Sequence, residues 1–318
     1  MRFVIALLIW LSISVQTHAD VPTMRVAVLK FGMVNWLMDT ITHRGLDERH
    51  GYRLEVVPLA GKAATSIALQ SGDADAIVTD WVWAMRQREN GTPYRFLPYN
   101  RSLGALMVRP DAGIETVCDL PGKSIGVAGG AIDKSWLILQ AMAKRVCGID
   151  LVVGTTAVFG APLLVSRQIE TGNVQAVSTA WHCAARLQAA GMTRLLRVNQ
   201  MFDLLEIQPA PPLIGLVWKE KALGGPDGLE QSFAASVRDA SDLLTADEAE
   251  RDRLRPKMKA KSGAEFTLLR NYYGAGLVSD WTAADTQAAA KLHRALIRIG
   301  GQAYRNTAGP FDAALFGG

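Results

Sequence analysis

The sequence predicts an α/β fold built from parallel sheets, on two observations. Short apolar runs alternate with helix-like stretches through residue 218, and this alternation is typical of parallel α/β domains. A local arrangement also recurs, in which an apolar run ends, small residues follow, and a helix-like segment has tryptophan or lysine at its start. It lies at 26–36, 76–83, 125–136 and 176–182. The predicted strands are 24–30, 53–58, 74–78, 94–99, 105–109, 124–127, 151–158, 174–177, 193–198 and 213–219.

Apolar spacing predicts the helices. Residues 62–70 and 136–146 repeat apolar side chains at helical spacing. Near the C-terminus, Thr282 and Asp285 have the spacing of a capping box, which marks a helix start. This last helix is expected to end at Gly300-Gly301, because glycine often follows a helix.

The N-terminal residues 1–19 predict a secretory signal peptide. A basic start is followed by an apolar run and then by polar residues that end in Ala19, a small residue before the cut. An uncleaved membrane anchor is the alternative, but the apolar run is shorter than the ~20 residues that a span needs. We therefore expect a periplasmic protein whose mature chain begins near Asp20.

The remaining chain is expected to form two lobes. Lobe 1 would comprise 24–102 plus 213–318, and lobe 2 would comprise 103–212. The proline-rich stretch at 209–212 is a stiff connection, because proline restricts φ. The ligand would lie between the lobes, with the two chain crossings as a hinge. A single continuous sheet without a hinge is the alternative.

Charge and cysteine content narrow the function classes. The formal net charge is +4 and basic residues are scattered, so nucleic acid is not an expected partner. Cys118 and Cys147 flank one strand–helix unit and could form a disulfide in an oxidising compartment, with two separate buried thiols as the alternative. Cys183 is left unpaired in this scheme and lies next to His182 in the sequence. Because adjacent side chains on a helix point apart, we do not favour a metal site or a nucleophile pair formed by these two residues.

The recurring strand–helix junctions predict the ligand site. Loops at the carboxyl ends of parallel strands line ligand crevices, and helix N-termini there favour anions. Indole rings and ammonium groups at these positions suggest a flat anionic ligand, although each residue could instead be a core aromatic, a solvated lysine or, for the aspartates, a helix N-cap. The candidate ligand-binding residues are Lys30, Trp36, Lys62, Thr65, Asp80, Trp81, Gly130, Asp133, Lys134, Trp136 and Trp181.

Several motifs, in their order along the chain, resemble a known family. They are GLDERHGY at 45–52 followed by LEVV at 54–57, ALQSGDAD at 68–75, DLPGKSIGV at 119–127 and ETGNVQAV at 170–177. Together with the signal peptide, they resemble the substrate-binding proteins of ABC importers, in the nitrate/sulfonate/taurine-type superfamily. The resemblance implies two Rossmann-like lobes of the type 2 periplasmic binding fold, and delivery of a ligand to an inner-membrane permease.

The resemblance also implies a ligand. The segments Thr79-Asp-Trp-Val-Trp83 and Asp133-Lys-Ser-Trp136 resemble members of this superfamily associated with pyrroloquinoline quinone, a planar tricarboxylate. An alkyl sulfonate, taurine, nitrate or a thiamine-type pyrimidine are alternatives. Two alternatives to an importer component belong to other functional classes. One is a sensory or quinoprotein-docking protein, and the other is a pyrimidine-forming or dehydratase-type enzyme. We expect a monomeric, non-enzymatic protein with no required cofactor, no catalytic residues and no metal site.

Overall fold

Two five-stranded sheets organise the chain. The computed structural model describes residues 21–30, 32–220, 222–224, 228–278 and 280–316, so the predicted signal peptide lies outside the described residues. The strands are β1 (Thr23–Leu29), β2 (Arg53–Leu59), β3 (Ala76–Asp80), β4 (Tyr94–Asn100), β5 (Gly104–Val108), β6 (Ser124–Ala128), β7 (Thr156–Gly160), β8 (Ala176–Ala180), β9 (Thr193–Arg197) and β10 (Ile214–Lys219).

Helices flank both sheets. They are α1 (Val34–His43), α2 (Leu46–Arg49), α3 (Lys62–Ser71), α4 (Trp81–Glu89), α5 (Lys134–Cys147), α6 (Leu151–Gly154), α7 (Pro162–Glu170), α8 (Trp181–Ala189), α9 (Val198–Leu204), α10 (Leu229–Ala246), α11 (Glu248–Arg253), α12 (Arg255–Met258), α13 (Gly263–Gly274) and α14 (Ala283–Ala308). None of these helices, which lie within the described residues, is long and apolar enough to span a bilayer.

The two sheets share one topology. The order is β2-β1-β3-β10-β4 in the first sheet and β7-β6-β8-β5-β9 in the second. In each sheet, one strand runs antiparallel to both neighbours: β10 in the first and β5 in the second. The predicted α/β fold with two lobes is therefore confirmed, and the single continuous sheet is wrong. We call the first sheet with its helices lobe 1 and the second lobe 2.

The chain passes between the sheets twice. The first crossing, residues 101–103, joins β4 to β5, and the second crossing, residues 205–213, joins α9 to β10. Register places Gly104 opposite Ala180 and Ile214 opposite Asp80. Both crossings therefore lie at the edge where the central parallel strands β3 and β8 end. A Cβ on Gly104 would lie 2.1 Å from the Thr179 carbonyl oxygen, so glycine is needed for this close pairing.

One strand prediction is wrong at its start. Residues 151–154 form the short helix α6, and the strand β7 begins only at Thr156. The reason is local: the Asp150 carboxylate accepts the Val152 backbone N–H at 2.9 Å and caps a helical turn. Apolar periodicity over so short a run does not distinguish a strand from a helix.

The last helix starts as predicted and is interrupted where its end is predicted. Thr282 and Asp285 form the capping box at its N-terminus. The predicted end at Gly300-Gly301 coincides with a break in the helix, because Gly301 has the non-helical angles φ 58° and ψ −146°, and a second helical segment follows it to Ala308. This conformation suits glycine, which has no Cβ. The helix contacts α4 of lobe 1 and α5 of lobe 2, so it bridges the lobes.

A disulfide supports lobe 2. Cys118 and Cys147 are bonded, with a Cα–Cα distance of 5.5 Å, which confirms the pairing interpretation. Cys183 is a free, buried cysteine on α8. The bond ties the segment before β6 to the C-terminal end of α5.

Candidate functional site

The carboxyl ends of the parallel strands of both lobes face each other across a cleft. Lys134 at the start of α5 in lobe 2 reaches Asp80 at the end of β3 in lobe 1, with Nζ 3.2 Å from Oδ2. Nearby, the rings of Trp36 on α1 and Trp181 on α8 lie 6.0 Å apart between centroids. We call this region the inter-lobe cleft. Each of these two contacts joins a predicted site residue of lobe 1 to a predicted site residue of lobe 2.

The polar floor of the cleft is built on helix N-caps. Asp80 Oδ1 accepts the Trp83 N–H at 3.0 Å, while Oδ2 faces Lys134. Asp133 Oδ1 accepts the N–H groups of Ser135 at 2.9 Å and Trp136 at 3.3 Å. The N-cap interpretation of both aspartates is therefore confirmed.

The two carboxyl groups differ in their electrostatic surroundings. Burial by itself would raise the pKa of Asp80, but the charges of Lys134 and Lys62 and the N–H of Trp83 outweigh it, so the pKa is lowered. Burial is also the largest influence on Asp133, and here it prevails and raises the pKa. Asp80 is therefore the better ion-pair partner of the two, while Asp133 is held closer to its neutral form.

The four candidate tryptophans are buried and do not form a set of open stacking surfaces. Trp81 has an exposed fraction of 0%, Trp36 and Trp136 have 1% each, and Trp181 has 8%. The Trp81 indole N–H also donates to the Pro212 carbonyl at 3.1 Å. Trp181 is also buried, with the largest exposed fraction of the four. The others supply buried aromatic area to the core, because an indole ring buries a large apolar surface.

An aromatic cluster joins the lobes beside the polar floor. The Tyr273 ring on α13 lies 4.8 Å from Trp36 in an edge-on contact and 6.0 Å from Trp181 in a stacked one. The neighbouring His182 is neutral at pH 7, because burial and the charge of Arg186 lower its pKa to about 4. His182 therefore adds no charge beside this aromatic cluster.

The remaining predicted residues lie around the cleft with less direct roles. Thr65 is buried and its hydroxyl donates to the Lys62 carbonyl at 2.9 Å, so it serves the first turn of α3. Gly130 is exposed and its carbonyl accepts the Asp133 N–H at 2.9 Å. The side chains of Lys30 and Lys62 are exposed at the ends of β1 and the start of α3.

Sequence reasoning missed the residues that hold the hinge. Arg101 in the first crossing donates to the Ala210 carbonyl in the second crossing and to Asp285 Oδ1 at 2.7 Å, at the start of α14. Because these residues are distant in sequence, no local pattern indicates the contact. Tyr273 was missed for the same reason.

Two cavities lie outside the polar floor. One of about 190 Å³ adjoins Trp181 and the first crossing, and is lined by Ser102, Arg197 and Tyr272 among others. The other, of about 300 Å³, lies between α7, α8 and α13 and is lined by Cys183 and Arg186 among others. Within the described residues, no group of three or more His, Cys, Asp or Glu side chains is arranged to hold a metal ion.

Solved structures with the same architecture are periplasmic binding proteins. The periplasmic aliphatic sulphonate binding protein SsuA from Escherichia coli aligns with a TM-score of 0.69 at 16% identity, over 92% of this chain and 90% of that chain. The alkanesulfonate-binding protein SsuA from Xanthomonas axonopodis pv. citri, bound to MOPS, aligns with a TM-score of 0.62 at 17% identity, over 87% and 94%.

The periplasmic nitrate-binding protein NrtA from Synechocystis PCC 6803 aligns with a TM-score of 0.57 at 12% identity, over 79% of this chain and 70% of that chain. The fold is that of a two-lobed periplasmic binding protein. No protein-family model matches the chain, and no curated protein matches its sequence.

Proposed function

We propose that this protein is the periplasmic solute-binding component of an ABC-type importer, which captures a small solute between its lobes and presents it to a membrane permease. The observation that carries the proposal is the 3.2 Å contact between Asp80 and Lys134, which joins the ligand-facing ends of both lobes. The Cys118–Cys147 disulfide supports export, because such bonds persist in oxidising compartments.

The solute is proposed to carry an anionic group. Helix α5, with Lys134 in its first turn, and helix α3, with Lys62, direct their N-termini to the cleft, where backbone N–H groups and the helix dipole favour negative charge. The solved neighbours named for sulfonates and nitrate are consistent with this choice. Both lysines lie near aspartates, so the anion has to compete with Asp80 for Lys134.

Pyrroloquinoline quinone is the first candidate ligand. Its carboxylates could pair with the lysines. Its flat ring could stack on Trp181, which belongs to the aromatic cluster. All four indoles of the predicted cage are buried, and only Trp181, with 8% exposed, keeps a small surface for stacking. The smaller alternative solutes, namely an alkyl sulfonate, taurine, nitrate and a thiamine-type pyrimidine, therefore serve as comparators of equal standing.

Calorimetric titration of the purified protein without residues 1–19 tests the proposal. We expect one-to-one binding of one of these solutes, with a lowered affinity in Lys134→Met. Arg167→Met, which alters an exposed ion pair on α7, is the control and should bind as the wild type does. Binding that is identical in both variants would place the ligand elsewhere, and no binding of any of these solutes would contradict the proposed ligand classes.

A further inference from the structure

A cavity of about 190 Å³ lies beside the first crossing, and we call it the hinge cavity. Ser102 of the crossing and Gly104 at the start of β5 line it, as does Trp181 at the start of α8. Tyr272, near the C-terminal end of α13, also lines it. The cavity is therefore bordered by lobe 2, by the chain crossing and by helix α13. No residue of the polar floor borders it, so it is a separate space.

The tryptophans that begin α4 and α8 differ in what surrounds them. In lobe 1, the Trp81 ring lies 6.3 Å from Phe311 and 6.1 Å from Phe316 between centroids. Its indole N–H donates to the Pro212 carbonyl of the second crossing at 3.1 Å. Trp181 begins the corresponding helix of lobe 2, and there the hinge cavity adjoins it. Aromatic side chains from the C-terminal segment thus pack around the tryptophan of lobe 1, whereas lobe 2 retains a cavity beside its own.

The polar wall of the hinge cavity comes from β9 and α9. Asn199, Gln200 and Asp203 line the cavity from one face of α9, because residues three and four apart lie together on a helix. Arg197, at the end of β9, also lines the cavity. The side chains of Arg197, Gln200 and Asp203 are exposed, so this wall reaches the solvent and gives a solute a way in.

The two charged side chains of this wall are opposite in sign and unpaired. In the part of the chain that the structure describes, neither Arg197 nor Asp203 takes part in an ion pair, with each other or with another residue. Asp203 Oδ1 accepts the Gln208 side-chain amide at 3.3 Å, and its Oδ2 makes no hydrogen bond with a described residue. A guanidinium and a carboxylate oxygen therefore remain available at one cavity.

The larger cavity, of about 300 Å³, is different in this respect. Four of the five charged side chains that line it pair with each other. Arg186 Nε lies 3.0 Å from Glu265 Oε1, and Arg167 lies 3.2 Å from Glu170. Lys261 is the fifth. Of the two cavities, the hinge cavity is thus the one with available charges of both signs.

Unpaired charges of both signs around one small space favour a ligand that carries both charges. An anion alone would bring a negative charge toward Asp203, and a cation alone would bring a positive charge toward Arg197. A zwitterion satisfies both, since charge-assisted hydrogen bonds to carboxylate and guanidinium groups are strong. At roughly 30 Å³ for each water molecule in the liquid, the cavity corresponds to about six waters, which suits a molecule of a few carbon atoms.

We propose that the hinge cavity is a second binding site of this protein, which takes a small zwitterion. The anionic group pairs with the Arg197 guanidinium, and the ammonium group pairs with the Asp203 carboxylate. The carbon chain lies against Trp181 and Tyr272, which shield it from water. Because the lining comes from lobe 2, the crossing and α13, a bound zwitterion stabilises one arrangement of the hinge. This site goes beyond solute capture at the polar floor and does not depend on it.

Probes of equal size separate the contributions of the two charges. β-Alanine carries both, butyrate replaces its ammonium group by a methyl group, and 3-methylbutylamine replaces its carboxylate oxygens by methyl groups. Calorimetry on the protein without residues 1–19 should show that β-alanine binds about tenfold or more tightly than the other two, as expected for the loss of one charge-assisted hydrogen bond. Glycine and γ-aminobutyrate, with shorter and longer chains, test the distance between the charges.

Variants that remove one charge locate the zwitterion. Arg197→Met and Asp203→Asn should each weaken the binding of the tightest zwitterion about tenfold or more. Both side chains are exposed, so the fold is retained. Arg167→Met and Glu170→Gln remove charges from the lining of the larger cavity, and these controls should bind as the wild type does. Lys134→Met, at the polar floor, should also keep the wild-type affinity for the zwitterion.

Contrary results would take distinct forms. Absence of binding of all three zwitterions, equal affinities for the three probes of equal size, or an unchanged affinity in both Arg197→Met and Asp203→Asn would overturn the hinge site. A loss confined to Lys134→Met would place the zwitterion on the polar floor, which overturns the hinge site and supports capture in the inter-lobe cleft. The proposed function fails separately, when none of the solutes titrated for the cleft binds.

Discussion

Trp81 and Trp181 occupy equivalent positions in the two lobes. Each begins the helix that follows a central parallel strand, and each donates its backbone N–H to the residue before the antiparallel strand: Trp81 to the Leu213 carbonyl at 3.3 Å, and Trp181 to the Leu103 carbonyl at 3.2 Å. Their side chains differ, since Trp81 is fully buried while Trp181 borders the cleft. A movement of the lobes at the crossings would therefore shift the first residues of α4 and α8, which are hydrogen-bonded to the crossings.

The pair formed by Asp80 and Lys134 should stabilise the contact between the lobes. Lys134→Met leaves a largely buried carboxylate without its partner, and we expect a loss of about 1–3 kcal/mol in the free energy of unfolding. Urea denaturation measures it. The double variant Asp80→Asn/Lys134→Met should recover part of the loss, since asparagine still caps α4. Additive losses in the double variant would speak against a direct pairing.

Asp133 should make stability depend on pH. Burial raises its pKa in the folded state, so its contribution is fully present below the unfolded pKa of ~3.9 and is lost as pH rises through the folded pKa. Asp133→Asn is neutral at every pH and retains the cap. We therefore expect it to melt at a higher temperature than the wild type at pH 7, with the difference vanishing below about pH 4. A constant difference across this range would rule out titration of Asp133 as its source.

Two tryptophans of lobe 2 should respond differently to truncation. Trp136 packs against Phe159 in the core, and Trp136→Ala should destabilise the protein by about 3–5 kcal/mol. Trp181→Ala should instead weaken binding of a planar ligand by ~1–3 kcal/mol, taking base stacking as a guide. Chemical denaturation and calorimetry on both variants separate the effects. Weakened binding without destabilisation in Trp136→Ala would contradict its assignment to the core.

Arg101 should hold the two crossings together. Its removal in Arg101→Met leaves Asp285, which is buried, without its cationic partner and frees the Ala210 carbonyl. We expect a loss of about 3 kcal/mol in the free energy of unfolding. Arg167→Met, at an exposed pair with Glu170, should cost less than about 0.5 kcal/mol. Similar losses in the two variants would mean that the hinge contact contributes little.

The disulfide should stabilise lobe 2 while Cys183 stays inert. Cys118→Ser/Cys147→Ser opens a loop with a sequence separation of 29, and we expect a loss of about 3–4 kcal/mol. In the native wild type, a thiol reagent should label nothing, because Cys183 is buried. On unfolding without reductant, one thiol should become reactive. Two or more reactive thiols under those conditions would argue against the bond.

Strand and helix positions followed from local signals where those signals were strong. The capping box at Thr282 and the helical period of 136–146 correspond to α14 and α5. The errors came from competing local chemistry, as at Asp150, where a carboxylate cap makes a helical turn out of an apolar run. At Gly301, the glycine interrupts the helix as its sequence position indicates, and a second helical segment follows it to Ala308.

The sequence by itself determined the α/β class and which residues stand at helix starts, because periodicity and capping act over a few neighbouring residues. Asp80 and Asp133 were identifiable as caps in this way. Only the tertiary structure decided that Lys134 meets Asp80 across the lobes and that Trp36, Trp81 and Trp136 are buried. These outcomes depend on how distant segments pack, and burial of a side chain is a property of that packing rather than of its sequence neighbours.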